Sequence, residues 1–321
     1  MDEKLSVVIV NYKTPHLVID AIESFNMLMK SVRLFVVDNA SNDESVSDIT
    51  DYLTASGLNS QASVIRNDQN SGFSAGNNIG IKECESEFIL LLNSDTIVRP
   101  DALEELVKTL VGNPDKGMAS PRLEWPDGSP QESCFRYHTP VSELIRSAAT
   151  KPVTQLFKSY EVPQRVSDDI CYPEWTSFAC VLIRRKVFED IGLLDEGFFM
   201  YFEDVDFCRR AARKGWGIVH NPLARVVHLR GGSSPVKSQT AKKKRLPRYF
   251  YESRARYYHK YFGQLGLFCA NMFWHLGWLI AMLRKAANRD YQPNICESQW
   301  RDIWCSFTNP TRPYTHPDSN S

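Results

Sequence analysis

The chain has 321 residues, of which 43% are hydrophobic and 24% are charged. A chain of this length can bury a large core, so we expect one large domain or one domain with appendages. Lys plus Arg and Asp plus Glu each number 38, and this balance excludes the global positive charge that would indicate a nucleic-acid partner. An apolar run begins at residue 5 without a leader pattern before it, which predicts a cytoplasmic protein.

Eight cysteines are distributed along the chain without a Cys-x-x-Cys pair. No histidine lies near them at the spacing of a zinc finger. They therefore predict neither a zinc knuckle nor a redox motif, and we interpret them as reduced thiols.

The first third of the chain alternates between apolar, β-branched runs and segments of helical pattern. This alternation is typical of a parallel sheet covered by helices. The runs are residues 5–10, 34–37, 63–65 and 88–92, and the helical segments lie near residues 15–29, 43–56, 74–83 and 100–113.

Polar segments follow these four runs, and three of the segments contain acids. Ligands of open α/β sheets bind beyond the carboxyl ends of the strands, so these segments are the candidate binding residues. They are residues 11–12, 38–43, 66–68 and 93–95.

The pattern weakens at residues 122–172, which are rich in Pro, Ser and charge and predict a loop-rich insertion. Residues 231–235 are polar and Gly-rich, and they form a candidate lid. The remaining predicted elements are strands at 178–183, 217–220 and 225–228 and a helix near 184–190.

Apolar and aromatic residues at 198–202 lead directly into three carboxylates, Glu203, Asp204 and Asp206, at a predicted helix start. Acids at a helix N-terminus are each worth about 0.3–1 kcal/mol, so one interpretation is a capped helix. The other is a catalytic carboxylate, because Asp204 points about a quarter-turn away from the other two on a helix. Apolar neighbours would raise its pKa toward that of a useful general base.

Residues 265–283 are rich in Leu, Phe, Trp, Ile and Met and are flanked by Arg and Lys, but they include Asn271 and His275. A spanning helix needs about 20 apolar residues, so spanning is the least favoured interpretation. Trp274, Trp278 and the basic flanks favour an amphipathic helix on an anionic membrane surface. The alternative is a helix that is buried or that forms a homodimer.

Several of these segments resemble the family-2 inverting glycosyltransferases, and within them the rhamnosyltransferase-like branch. The resemblance covers roughly residues 4–262 and implies an α/β fold of the GT-A type, with a Rossmann-like nucleotide-binding sheet and an acceptor-binding half. A C-terminal amphipathic helical extension would follow. The matching stretches are residues 7–12, 36–43, 70–78 and 91–95, continued by 175–215 and 228–231.

The resemblance implies a nucleotide-sugar donor and a divalent cation, Mn²⁺ or Mg²⁺. The Asn93-Ser94-Asp95 stretch is similar to the family's Asp-x-Asp with its first acid replaced by an amide, and His228 matches a further metal ligand. Such cations commonly take one or two carboxylates and complete their shell with diphosphate and water, so Asp95 is sufficient as an anchor. The donor site implied in this way consists of Asn11, Tyr12, Asp38, Asn70, Gly72, Asn77, Ser94 and Asp95.

By the same resemblance Asp204 is the general base that deprotonates the acceptor hydroxyl, while Glu203 and Asp206 support the helix or position the acceptor. Trp175 stacks on an acceptor sugar or fills the core. Relatives usually carry Trp-x-x-Gly-Ala here, whereas Phe178 stands in place of the glycine in this chain. The acceptor therefore does not carry over from the family.

The leading hypothesis is transfer of L-rhamnose from dTDP-rhamnose to a lipid-linked or polysaccharide acceptor in cell-surface glycan synthesis, by an enzyme peripheral to the inner face of the cell membrane. UDP-galactose, UDP-glucose or GDP-mannose are alternative donors. A sugar-nucleotide nucleotidyltransferase and a non-catalytic nucleotide-sugar-binding scaffold are the alternative classes. The expected domains are residues 1–262 for the glycosyltransferase, 263–305 for the helical extension and 306–321 for a disordered tail.

Overall fold

The computed structural model describes residues 5–25, 31–229 and 235–317. The described residues fall into two compact units. The chain ranges of unit 1 are Met1–Phe135, Gln164–Glu196 and Glu203–Ser233, and those of unit 2 are Arg136–Pro163, Gly197–Phe202 and Ser234–Ser321. The sequence-based boundaries at residues 262 and 305 divide the chain differently and stay predictions.

Strands and helices alternate from Leu5 to Asn93 and follow one another less regularly after that. The strands are β1 (Leu5–Asn11), β2 (Val32–Asn39), β3 (Ala62–Asn67), β4 (Phe88–Asn93), β5 (Thr96–Val98), β6 (Lys116–Glu124), β7 (Cys134–Phe135), β8 (Trp175–Thr176), β9 (Cys180–Arg184) and β10 (Gly217–His228). The helices are α1 (Pro15–Ser24), α2 (Ser45–Ala55), α3 (Gly72–Lys82), α4 (Ala102–Gly112), α5 (Pro140–Ala148), α6 (Lys151–Leu156), α7 (Arg185–Ile191), α8 (Glu203–Ala212), α9 (Pro235–Ala241), α10 (Arg248–Ala287) and α11 (Gln299–Asp302).

Eight of the described strands of unit 1 form one mixed sheet in the order β3-β2-β1-β4-β9-β6-β10-β5. Strands β1 to β4 pair with one another in parallel, so their carboxyl ends lie at the same edge of the sheet. Strands of a parallel sheet are buried on both faces, which explains why Val7, Val8 and Ile9 form an unbroken apolar run and are all fully buried. The predicted α/β fold is confirmed.

The first four predicted helices correspond to α1, α2, α3 and α4. Helix α1 ends at Ser24, and residues 26–29 of the predicted helix lie outside the described residues. The prediction of two short strands at 217–220 and 225–228 is wrong, because β10 continues through both. A shift in strand register between Asn221 and Arg225 surrounds Pro222, whose missing N–H cannot join the ladder.

The prediction of a loop-rich insertion at 122–172 is wrong for its central part, which contains α5 and α6. Thr139 caps α5, because its Oγ1 accepts from Ser142 N at 3.2 Å and its N donates to Ser142 Oγ at 3.0 Å. Pro140 occupies the first turn, where a missing N–H costs nothing. The Thr-Pro pair was the sequence signal for this helix.

Unit 2 is built around α5 and the long helix α10, which confirms the predicted C-terminal helix. Gly263 interrupts α10 with a φ of 68° and a ψ of −173°. Part of the predicted disordered tail is packed in the same unit, since Thr315 N donates to Glu252 Oε2 at 2.9 Å. Residues 318–321 of that tail lie outside the described residues.

Candidate active site

A buried polar cluster joins the ends of β1 and β2. Asn11 Nδ2 donates to Asp38 Oδ1 at 2.7 Å and to Ser41 Oγ at 3.1 Å. Asp38 Oδ2 accepts from Ser41 N at 3.1 Å, and all three residues are buried. Parallel strands bring the predicted Asn11 and Asp38 together in this way, and Ser41 fixes the orientation of the carboxylate.

Asn39 lies in the predicted binding segment 38–43 but not among the expected donor residues, and it organises the turn that follows β3. Its Nδ2 donates to Asn70 Oδ1 at 3.0 Å and to Gly72 O at 3.1 Å. Its Oδ1 accepts from Asn67 Nδ2 at 2.8 Å. The predicted donor residues Asn70 and Gly72 are therefore tied directly to the end of β2.

Two consecutive asparagines of α3 have different partners. Asn77 Nδ2 donates to Phe73 O at 2.9 Å within its own helix, and its role toward a nucleotide stays a prediction. Asn78 is buried, donates from Nδ2 to Leu194 O at 2.9 Å and accepts from Leu194 N at 3.0 Å. Asn78 thus fixes the segment before α8, a function that only tertiary contacts reveal.

Asp95 and His228 lie side by side at the same edge of the sheet. His228 Nε2 is 3.5 Å from Asp95 Oδ1, and both residues are buried. The pairing of β5 with β10 produces this contact, since Thr96 lies opposite His228 and Leu229 N donates to Asp95 O at 2.9 Å. Gln131 Nε2 donates to His228 O at 2.7 Å and holds the strand end in place.

These side chains fit a divalent cation, although the described residues contain no group of three His, Cys, Asp or Glu that could hold a metal. Adjacent ligands of an octahedral ion with bonds of about 2.1 Å lie roughly 3 Å apart, close to the Asp95–His228 separation. Asn93 Oδ1 is buried and has no hydrogen-bond partner among the described residues. An amide oxygen of this kind is also an acceptable ligand for such an ion.

The acids at the start of α8 differ in exposure. Glu203 is buried, and burial, followed by the charges of Asp204 and Asp206, raises the pKa of its carboxyl well above the usual value. Its Oε2 has no hydrogen-bond partner within the part of the chain that the structure describes. Asp204 is half-buried, and its Oδ1 accepts from Val205 N at 2.8 Å. Asp204 is therefore the more accessible carboxylate of this adjacent pair.

Asp206 has a structural partner in Arg210. Its Oδ2 accepts from Arg210 Nε at 2.9 Å, and it is fully buried. The other guanidinium nitrogens of Arg210 donate to Ile191 O and Leu193 O, both at 2.8 Å. The ion pair thereby attaches α8 to the segment before it, in agreement with the supporting role expected for Asp206.

Two aromatic residues next to α8 are turned into the core. Trp175 is 8% exposed and stacks on Phe135 with ring centroids 4.2 Å apart. Phe178, which replaces the family's glycine, packs edge-on against Phe207 of α8 at 5.8 Å. Of the two roles weighed for Trp175, the structure supports packing, and its contact with an acceptor stays a prediction.

The other predicted residues also lie near these strand ends. Tyr12 is half-buried, and Lys13 Nζ is 5.1 Å from the centroid of its ring. Ser94 is buried, with its Oγ 3.4 Å from Thr14 Oγ1. Of the candidate lid at residues 231–235, residues 231–234 lie outside the described residues.

Comparison with known proteins agrees with this arrangement. The family model described as glycosyl transferase family 2 matches residues 6–192, which is more than half of the chain. The chain belongs to glycosyltransferase family 2. The match includes β1 to β4 and the ends of those strands, where the Asn11–Asp38 cluster and Asp95 lie.

Relatives of the chain are between 23% and 31% identical to it over the aligned residues. The low-salt glycan biosynthesis hexosyltransferase Agl10 of Haloferax volcanii is 30% identical over 237 residues, which are 71% of this chain and 68% of that protein. The N-acetylglucosaminyl-diphospho-decaprenol L-rhamnosyltransferase of Mycobacterium tuberculosis is 28% identical over 157 residues. That match covers 46% of this chain and about half, 48%, of the mycobacterial protein.

A solved structure confirms the GT-A fold of this glycosyltransferase. The mannosyltransferase of Pyrobaculum calidifontis, in complex with GDP-mannose and Mn²⁺, superposes with a TM-score of 0.54 at 15% identity. The superposition covers 97% of this chain and 86% of that protein. At this identity the likeness establishes the fold alone.

Proposed function

We propose that the protein transfers a sugar from a nucleotide-sugar donor to an acceptor hydroxyl in glycan synthesis, with inversion at the anomeric carbon. The Asp95–His228 pair beside the Asn11–Asp38 cluster carries this proposal. Thr14 links this cluster to Ser94, the residue before Asp95, because its Oγ1 lies 3.3 Å from Asn11 Oδ1 and 3.4 Å from Ser94 Oγ. Polar groups arranged in this way at the carboxyl edge of a sheet suit a nucleotide and its diphosphate.

Asp95 and His228 are the residues that would hold Mn²⁺ or Mg²⁺. When bound, the cation supplies positive charge that stabilises the departing nucleoside diphosphate. The carboxylate contributes the negative charge that attracts the ion, whereas the neutral imidazole contributes a lone pair only. Loss of Asp95 therefore weakens donor binding more than loss of His228 does.

Asp204 accepts the proton of the acceptor hydroxyl as the acceptor oxygen attacks the anomeric carbon. Attack from the face opposite the leaving group inverts that carbon in one displacement. A general base must be ionised and within reach of the proton that it accepts. Asp204 is half-buried, whereas the adjacent Glu203 is buried. Burial raises the pKa of Glu203, which favours its protonated form over the ionised form that a general base requires.

The donor we propose is dTDP-rhamnose, and the acceptor is a lipid-linked or polysaccharide glycan of the cell surface. The mycobacterial L-rhamnosyltransferase and the Haloferax hexosyltransferase support this proposal through their similarity to the chain. UDP-galactose, UDP-glucose and GDP-mannose are the alternatives.

Thermal-shift titration of the intact protein with each of these four nucleotide sugars, with and without Mn²⁺, tests the proposal. We expect dTDP-rhamnose to raise the melting temperature most, only when the cation is present. Asp95→Ala should abolish that shift and His228→Ala should reduce it, while Asp115→Ala, at an exposed acid outside the site, should leave it unchanged. A full shift in excess EDTA, or an equal shift in Asp95→Ala, contradicts the metal assignment.

A further inference from the structure

Helix α10 exposes a continuous apolar stripe. The stripe consists of six residues. With 3.6 residues per turn, their side chains fall within an arc of about 80° around the helix axis and extend for roughly 27 Å along it. Each is between 42% and 73% exposed, and residues 261–283 contain no Asp, Glu, Lys or Arg. The members of this α10 stripe are Leu265, Phe268, Met272, Leu276, Leu279 and Leu283.

The opposite face of α10 is packed within unit 2. Trp274 and Asn271 are buried there, and Asn271 Oδ1 accepts from the buried Arg254 Nη1 at 2.7 Å. A Cβ on Gly277 would lie 2.6 Å from Leu144 O, so this face is in close contact with α5. Helix α10 is long and apolar enough to cross a membrane by length and composition. A helix whose other face packs on α5 and contains a buried Arg254–Asn271 hydrogen bond is suited instead to lie in the plane of the membrane surface.

Charge is divided unequally between the two units. Unit 2, which contains the stripe, has 18 Lys and Arg against 7 Asp and Glu, whereas unit 1 has 20 against 31. The net charges are therefore +11 and −11, although the whole chain is neutral. Exposed lysines and arginines of unit 2 include Lys242, Lys243, Lys244, Lys285 and Arg289.

We infer that the α10 stripe is a docking surface for an anionic lipid bilayer. An exposed apolar face of this extent favours removal from water, and an excess positive charge on the same unit favours anionic head groups. A second copy would instead bring two units of charge +11 together, which like-charge repulsion opposes. Anionic lipids of this kind are enriched in the cytoplasmic leaflet of cell membranes. The inference does not depend on the identity of donor or acceptor.

Flotation of the full chain with vesicles tests this docking. The protein should float with phosphatidylglycerol vesicles and poorly with phosphatidylcholine vesicles, and raising the salt from about 0.1 to 0.5 M should lower the bound fraction at least about threefold. Leu276→Glu with Leu279→Glu should weaken binding by at least about tenfold, because it places two charges in the apolar face. Leu156→Glu with Leu223→Glu is the matched control, since both leucines are exposed outside the stripe.

A second variant separates the charge from the stripe. Replacing Lys242, Lys243 and Lys244 with Gln should weaken binding to the anionic vesicles and leave the melting temperature unchanged, because these side chains are exposed. Equal loss of binding in the leucine control overturns the inference. The inference is also overturned if the intact protein binds neither kind of vesicle and migrates as a dimer, and Leu276→Glu with Leu279→Glu converts that dimer to a monomer. The stripe would then be an interface between two copies.

Discussion

The three carboxylates at the start of α8 have different environments although they lie within four residues. Asp206 is paired with Arg210, Glu203 is buried with a raised pKa, and Asp204 is half-buried. Of the adjacent pair, Asp204 is therefore the more accessible carboxyl, whereas the raised pKa of Glu203 disfavours its ionised form. The burial and partners of each carboxyl, more than its residue type, distinguish the general base from the acids with a structural role.

Asp204→Asn should retain donor binding and lose transfer by a factor of about 10²–10⁴, the usual scale for a general base. Rates of sugar transfer, measured together with the donor-induced thermal shift, separate chemistry from binding. Glu203→Gln is the matched control, because the raised pKa of Glu203 favours the neutral carboxyl, which an amide resembles in shape and charge. A near wild-type rate in Asp204→Asn, with a large loss in Glu203→Gln, would transfer the assignment to Glu203.

Residues at strand ends were predictable, whereas pairs made by tertiary contact were not. Asn11, Asp38 and Asp95 follow apolar runs, so their position at the sheet edge follows from the run pattern. Cys134 and Cys171 have no motif spacing, yet their side chains hydrogen-bond, and this contact lowers the pKa of Cys171 to about 7. Such a pair depends on how the residues between them fold back, which no local pattern records.

At the scale of elements, α5 and α10 approach each other closely at one glycine. A Cβ on Gly277 would meet Ser147 Oγ at 2.1 Å, Leu144 O at 2.6 Å and Ala148 N at 2.7 Å. Two of these three atoms belong to the backbone of α5 and cannot turn aside. The approach explains why a residue of poor helix propensity occupies the middle of a long helix.

Gly277→Ala should therefore destabilise the protein by roughly 1–3 kcal/mol, the usual cost of overpacking. Gly112→Ala is the control, since nothing lies within 4 Å of its added Cβ and it is the last residue of α4. There the replacement should be neutral or stabilising by up to about 1 kcal/mol. Denaturant unfolding of both variants measures the difference, and equal effects at the two sites would contradict the close approach of α5 and α10.

Over the whole molecule, the sequence pattern predicted unit 1 better than unit 2. Parallel strands are buried on both faces, so their apolar runs at β1, β2 and β4 are visible without knowledge of the fold. In unit 2 the short helix α5 is amphipathic and is defined by its Thr139 cap and its packing on α10. The residues of α5 were therefore predicted to be part of a loop-rich insertion. The charge division between the units was also hidden, because unit 2 is assembled from three separate parts of the chain.

A buried charge cluster makes the stability of the molecule dependent on pH. Glu143 accepts from Tyr258 OH at 2.9 Å, Arg146 Nη2 at 2.6 Å and Arg254 Nε at 3.3 Å. Burial opposes ionisation of Glu143, but the charges of Arg146 and Arg254 outweigh it and lower the pKa to about 2. Burial, reinforced by the same arginines, lowers the pKa of His138 to about 4, although Glu143 opposes that shift.

Both shifts imply that the free energy of unfolding falls in acid. The unfolded chain binds more protons than the folded chain wherever the folded pKa is the lower one, so stability decreases as the pH falls. The contribution of His138 is lost between about pH 6.5 and 4, and that of Glu143 between about pH 4.5 and 2. Each is on the order of a few kcal/mol at most, because the Arg146 side chain is 39% exposed and solvent screens its share.

Glu143→Gln should lower the free energy of unfolding at pH 7 by about 3 kcal/mol, because it leaves the charge of Arg254 buried without its carboxylate. The variant should also lose less stability than the wild type between pH 4.5 and 3, since the carboxylate that titrates there is gone. Glu189→Gln is the control, because that acid forms exposed ion pairs with Arg185 and Lys186 at 3.7 and 3.6 Å, which solvent screens. Urea unfolding at pH 7, 4.5 and 3 measures all three proteins. Identical pH dependence in wild type and Glu143→Gln would show that the acid sensitivity arises elsewhere in the chain.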